Sequence, residues 1–128
     1  MSQMFDAVVL LAHGARDARW LQPFRDLRRA VAAKAAPARV ALAFAEYATP
    51  TLEEAVRDLR EAGARKLLVV PIFLAGGGHV AGDIPKLIDA ERKRHADVQI
   101  ALSGAIGEEP EVVAAMIDAV ARIVKTGV

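Results

Sequence analysis

Three side chains in this sequence stand in similar places relative to three apolar runs. His13 follows "AVVLLA" (Ala7–Ala12), Glu46 follows "RVALAFA" (residues 39–45), and His79 lies just beyond "KLLVVPIFL" (residues 66–74). Imidazole nitrogen and carboxylate oxygen together suit divalent first-row metals such as Co, Ni, Fe or Zn. Two imidazoles and one carboxylate leave coordination positions open for exchange, as a catalytic site does and a structural site does not. The chain has three histidines and no cysteine. Any transition metal must therefore be held by His, Asp or Glu, and disulfides, thiolate nucleophiles and Cys-based zinc or iron–sulfur sites are excluded.

Taken singly, each residue has an ordinary reading. A histidine after a strand is commonly a hydrogen-bonded loop residue, and Glu46 can cap the helix that follows it. Convergence is what would make a site, and convergence depends on the elements. The apolar runs are continuous rather than alternating, which suits strands buried on both faces in a parallel sheet. A fourth run, "VQIALSG", spans residues 98–104. Helical spacing fills the gaps: Leu21, Phe24, Leu27, Val31 and Ala35 in the first, then Leu52, Ala55, Val56 and Leu59 in the second. Asp83 reads as an N-cap with Pro85 in the first turn, opening a helix to about residue 95. Pro110 opens the last helix, with Val112, Val113, Met116, Val120 and Ile123 on one face.

Four alternating strand–helix units predict an α/β three-layer sandwich around a four-stranded parallel sheet, in one domain over residues 1–128. The expected strand order is 2-1-3-4, the flavodoxin-like winding. Strand one then lies between strands two and three, with neighbours about 4.8 Å apart. His13, Glu46 and His79 should meet at the carboxyl edge, where open parallel sheets bind ligands. Gly76, Gly77 and Gly78 read as a tight strand-to-helix turn or as an anion cradle, and match neither common nucleotide-binding glycine pattern. Arg16, Arg19 and Lys86 are the basic residues expected at the same edge, where they would pair with carboxylates. Tyr47 and Trp20 are candidates for its rim. His95 ends "ERKRH" at a helix C-terminus, so it belongs at the opposite edge, complementing the helix dipole.

The net charge of +1 provides no strong field for nucleic acid or an acidic membrane. No basic segment precedes the first apolar run, which is too short to span a bilayer, so a soluble cytoplasmic protein is expected.

Three stretches carry a family resemblance. "HGARD" after the first run, "FAEYATPTLEEAV" after the second and "VPIFLAGGGHVAGDIP" around the third resemble the small, short-form sirohydrochlorin chelatases of the CbiX type. "AIGEEPEVV" resembles the family's closing segment less distinctively. The resemblance covers nearly the whole chain and implies a chelatase-like α/β fold. It implies insertion of a divalent metal, Co²⁺ first and Fe²⁺ or Ni²⁺ as alternatives, into sirohydrochlorin on the way to cobalamin or siroheme. The metal would be a substrate, with no tightly bound cofactor. The family's histidines match His13 and His79 as metal ligands, and its strand-two glutamate matches Glu46 as a third catalytic residue. Arg16 and the three glycines would contact the tetrapyrrole. The family commonly has Ser where this chain has Ala15. Longer relatives carry two such domains around one cleft, so the resemblance implies a homodimer whose copies face each other. The rival reading is a metal or tetrapyrrole carrier that uses the same histidines without turnover.

Overall fold

Side chains in β1 (Ala7–Ala12) alternate between two separate apolar cores. Ala7, Val9 and Leu11 enter one, and Val8, Leu10 and Ala12 the other. A strand covered on both faces has no polar positions, which is why the run reads as continuous. A computed structural model describes residues 4–76 and 79–128, the side chains of residues 79–81 excepted. β1 pairs in parallel with β2 (Arg39–Phe44) and β3 (Lys66–Pro71), and β3 with β4 (Gln99–Leu102), in the order β2-β1-β3-β4. This is the order the sequence predicts.

The first core joins the sheet to α2 (Leu52–Glu61) and α3 (His79–Arg94), through Leu52, Val56, Leu59, Ile84 and Ile88. The second joins it to α1 (Gln22–Ala35), through Phe24, Val31, Ala32 and Ala35. Thr51 starts α2 with a reciprocal capping box: its Oγ accepts from the Glu54 N–H, and the Glu54 carboxylate accepts from the Thr51 N–H. β2 is an edge strand, and Arg28 donates to the Val40 carbonyl there, covering part of a row of groups that would otherwise invite strand addition.

Two helices depart from the sequence reading. α3 starts at His79, four residues before Asp83, and takes Pro85 into its interior. Proline there lacks a donor for the helical ladder. Burial of Ile84 and Ile88 beside it favours the helix nonetheless. α4 (Pro110–Thr126) forms from its predicted proline, but none of its residues is buried. Its apolar face does not close over the sheet, so the α1 side of the sheet carries one helix instead of two.

Glu91 on α3 is buried, at 3% exposure. Its Oε2 pairs with Arg94, and its Oε1 has no hydrogen-bond partner among the described residues. A buried carboxylate left without its cation is costly, whereas an apolar replacement of similar size is commonly neutral. Arg94→Ala is expected to lower unfolding stability by about 1–3 kcal/mol, since Arg94 is itself half exposed. Glu91→Met should fall within about 1 kcal/mol of the parent. Urea denaturation of both variants checks the asymmetry, and equal losses would contradict it.

Candidate functional site at the carboxyl edge of the sheet

The β1–β2 register aligns Ala12 with Phe44 and continues past both strands. Ala45 N–H donates to the Ala12 carbonyl at 2.8 Å, and Glu46 N–H to the His13 carbonyl at 2.9 Å. The ladder therefore delivers His13 and Glu46 side by side at the strand exits. Their side chains meet: His13 Nε2 lies 3.5 Å from Glu46 Oε2. Both are about half exposed, at 52% and 40%, so the pair opens to solvent and to an incoming ion.

Gly14 makes this approach possible. Its φ is +104°, and a Cβ built on it would lie 1.8 Å from the Glu46 carbonyl oxygen. The two loops cross with no room for any side chain. The loop bearing Glu46 is closed from below, where Phe44 N–H donates to the Pro50 carbonyl at 2.9 Å, and Thr51 then caps α2. Within it Tyr47 takes a φ of +65°, a region unfavourable for a residue with a Cβ. Its ring is exposed and lies under the Arg16 guanidinium, 4.7 Å from the ring centroid, a cation–π arrangement.

From the other side, Ile72 N–H donates to the Leu11 carbonyl, extending the β1–β3 ladder. Phe73 then sets its ring edge against His13, with centroids 6.3 Å apart and planes at 62°. The segment after it is fastened by the 3₁₀ turn Ile106–Glu108. Gly107 N–H donates to the Phe73 carbonyl, and a Cβ on Gly107 would sit 2.3 Å from the Leu74 carbonyl oxygen. Glu108 accepts from the Gly76 N–H. Gly76 is thus tied at this edge, and Phe73, Gly76, Ile84, Ser103 and Glu108 line a small cleft there.

His79 is the first residue of α3, the helix that follows β3. Its side chain lies outside the described residues, as do Gly77 and Gly78. Among the described residues no group of three His, Asp or Glu side chains is placed to hold a metal ion. Arg19 is committed locally: its guanidinium forks onto Asp17, with Nη2 to Oδ2 at 2.7 Å, and holds that carboxyl below its usual range. Arg16 borders the Glu46 loop, through Tyr47. His95 directly follows α3, and its N–H donates to the Glu91 carbonyl. The positioning roles of Gly107 and Glu108 escaped the sequence reading, although "AIGEE" carried them.

A larger concavity among the described residues lies elsewhere. It runs along the free edge of β2 between α1 and α2, among Arg25, Arg28, Arg29 and Arg39. It contains neither His13 nor Glu46, and its walls come from the strand's beginning and middle, so it is not the carboxyl-edge site.

Known proteins resemble this chain in sequence and in fold. The chain is 39% identical over 85 residues to the sirohydrochlorin cobaltochelatase of Methanopyrus kandleri, covering 66% of this chain and 59% of that protein. It is 33% identical over 90 residues to the corresponding protein of Methanocaldococcus jannaschii, covering 70% and 63%. The matched region thus spans about three fifths of these relatives. Among solved structures, the CbiX protein of Marinobacter aquaeolei superposes with a TM-score of 0.80 at 33% identity, covering 93% of this chain and 97% of that one. The sirohydrochlorin chelatase SirB of Bacillus subtilis subspecies spizizenii, in complex with cobalt, superposes with 0.81 at 27% identity, covering 94% and 51%. The CbiX family model matches residues 7–123, and the chain belongs to that family.

Proposed function

We propose that this chain is a chelatase that inserts a divalent metal into sirohydrochlorin, with Co²⁺ as the first candidate and Fe²⁺ and Ni²⁺ as alternatives. The observation that carries the reading is the His13–Glu46 pair, half exposed at the exits of adjacent strands, beside the strand that leads to His79. The cobalt in the SirB complex and the names of the matched relatives support the same chemistry.

Insertion requires the ion to shed water, the macrocycle to lose two pyrrole protons and the two to meet. His13 and His79 bind M²⁺ as neutral imidazoles, weakly enough to release it. Glu46 accepts pyrrole protons as they leave. Arg16 pairs with a substrate carboxylate, and Gly76, Gly77 and Gly78 let a flat ring approach the backbone. Exposed Tyr47 and Leu74 add apolar surface to the rim. The described carboxyl-edge cleft is small and open, so residues 1–128 act as one chelatase-like domain that closes over substrate as a homodimer, two copies facing across the cleft. The setting is cytoplasmic. Among the described residues no helix is long and apolar enough to cross a membrane.

The test is an anaerobic absorbance assay with trace protein, excess sirohydrochlorin and each metal in turn, less the protein-free rate. Turnover with one metal supports the chelatase. Tight metal binding without turnover would replace it with a carrier and direct attention to Ala15. Within the enzyme reading, Glu46→Gln is expected to slow turnover by about 100-fold, the usual weight of a general base, with metal affinity changed far less. Equal losses in both would make Glu46 a ligand.

A further inference from the structure

The free edge of β2 is unfinished. Arg39 N–H donates to the Asp6 carbonyl at 3.1 Å and Ala45 N–H to the Ala12 carbonyl at 2.8 Å. Alternate residues from Arg39 therefore turn their backbone groups to β1, and Val40, Leu42 and Phe44 turn theirs outward. Phe44 is covered by the chain itself: its N–H donates to the Pro50 carbonyl, and it bridges Thr51 in parallel. The cover stops there, because Pro50 has no N–H to offer the Leu42 carbonyl. Arg28 reaches the Val40 carbonyl at 3.3 Å. The Val40 N–H, the Leu42 N–H and the Leu42 carbonyl have no protein partner among the described residues.

These groups open into a groove of about 690 Å³ between α1 and α2, the size of a ligand site. Its walls differ. α1 contributes Arg25, Arg28 and Arg29, whereas α2 and the residue after it contribute Ala55, Leu59 and Ala62. Arg39 adds a fourth guanidinium at the start of the strand. Arg25 and Arg39 are exposed, and their side chains have no hydrogen bond or ion pair among the described residues. Arg29 pairs with Asp26, and Asp58, which also lines the groove, pairs with Arg57. In a chain of net charge +1, four guanidiniums against the Asp58 carboxylate make the groove a local centre of positive charge.

We propose that this groove takes an extended segment of another protein, which adds to the free edge of β2 as a fifth strand and carries alternating acidic and small apolar side chains. A strand sends successive side chains to opposite faces. One row meets the α1 arginines, carboxylate on guanidinium. The other lies on Ala55, Leu59 and Ala62. In this mode main-chain bonds give affinity, here at Val40 and Leu42, and the flanking walls give specificity. A bare anion would find the arginines and the two N–H groups, but would also face the Leu42 carbonyl, which needs a donor. A second copy of this chain on the same edge would set arginine against arginine, and like charges directly opposite are destabilising.

The groove contains neither His13 nor Glu46, so the proposal stands apart from metal insertion. The probe is a short fluorescein-labelled peptide of alternating glutamate and valine, capped at both ends, with a lysine–valine version as its control. Fluorescence anisotropy reads binding to the full chain at low and high salt. The acidic peptide should bind, more weakly as salt rises, and the basic one should not. Arg25→Glu with Arg29→Glu should weaken binding by about 10-fold or more, since like charges then face the peptide. Arg25→Gln with Arg29→Gln should weaken it less and keep the parent's far-UV circular dichroism. N-methylation of one alternate set of peptide residues should abolish binding and of the other set spare it, because only alternate N–H groups face a strand edge. Binding indifferent to which set is methylated would overturn strand addition. No binding of either peptide, or equal binding of both, would overturn the proposal outright. Displacement of the acidic peptide by equimolar citrate would make the groove a small-anion site and overturn the peptide reading.

Discussion

His13→Ala should abolish metal insertion and leave the fold standing. His13 is half exposed, and its side chain meets Glu46 at 3.5 Å and the edge of Phe73. Its removal opens no core cavity, so the expected change in unfolding stability is within about 0.5 kcal/mol, as for other surface substitutions. The chemical loss is far larger. Altering a residue that only supports a metal ligand costs about 10–100-fold, and loss of the ligand itself should exceed that range. His79→Ala should match it, since the proposed function has both imidazoles bind one ion. Initial rates of Co²⁺ insertion, with urea denaturation alongside, decide the matter. Parent-like turnover in either variant would remove that histidine from the site. Lost turnover with lost folding would move His13 into the scaffold.

Gly14→Ala should be strongly damaging for so small a substitution, and Gly63→Ala is its internal control. Both glycines have a φ of +104°, which side chains of L-residues rarely adopt. They differ in their surroundings. A Cβ on Gly63 meets nothing within 4 Å, whereas one on Gly14 would lie 1.8 Å from the Glu46 carbonyl oxygen. Gly63→Ala therefore isolates the backbone cost, about 1–2 kcal/mol, and should leave insertion unchanged. Gly14→Ala adds a collision with backbone that has no rotamer escape. The expected total is about 3–5 kcal/mol, in the range reserved for strain at special backbone positions. Relief requires the Glu46 loop to move, so turnover should fall with stability. Equal stabilities for the two variants, or a Gly14→Ala protein with parent activity, would show that the loops part easily and that Gly14 does not set the His13–Glu46 distance.

Most of the scaffold is local information, and local information is what a sequence displays. Continuous apolar runs marked the strands, and β1 matches its predicted bounds. The helical spacing of Leu52, Ala55, Val56 and Leu59 marked α2, and Pro110 the start of α4. The winding order followed from four alternating strand–helix units, and with it came the meeting of His13 and Glu46, because a parallel register carries equivalent exits to one edge. The motifs "HGARD" and "FAEYATPTLEEAV" stated the same pair in family terms.

What tertiary structure alone decided is where segments distant in sequence press on one another. Gly14 looks like any loop glycine until the Glu46 carbonyl is found against it, and Gly107 acquires its role only from Leu74. Arg16 and Arg19 are equivalent as letters, yet one lies over Tyr47 and the other is held by Asp17. Asp83 and Pro85 gave a local start signal, yet α3 begins at His79 and carries both in its interior. The clearest case is α4. Its stripe of Val and Ile announces burial, but periodicity marks only which face is apolar, never what that face meets. None of its residues is buried in this chain, because the hydrophobic effect has no direction of its own and geometry decides which faces meet.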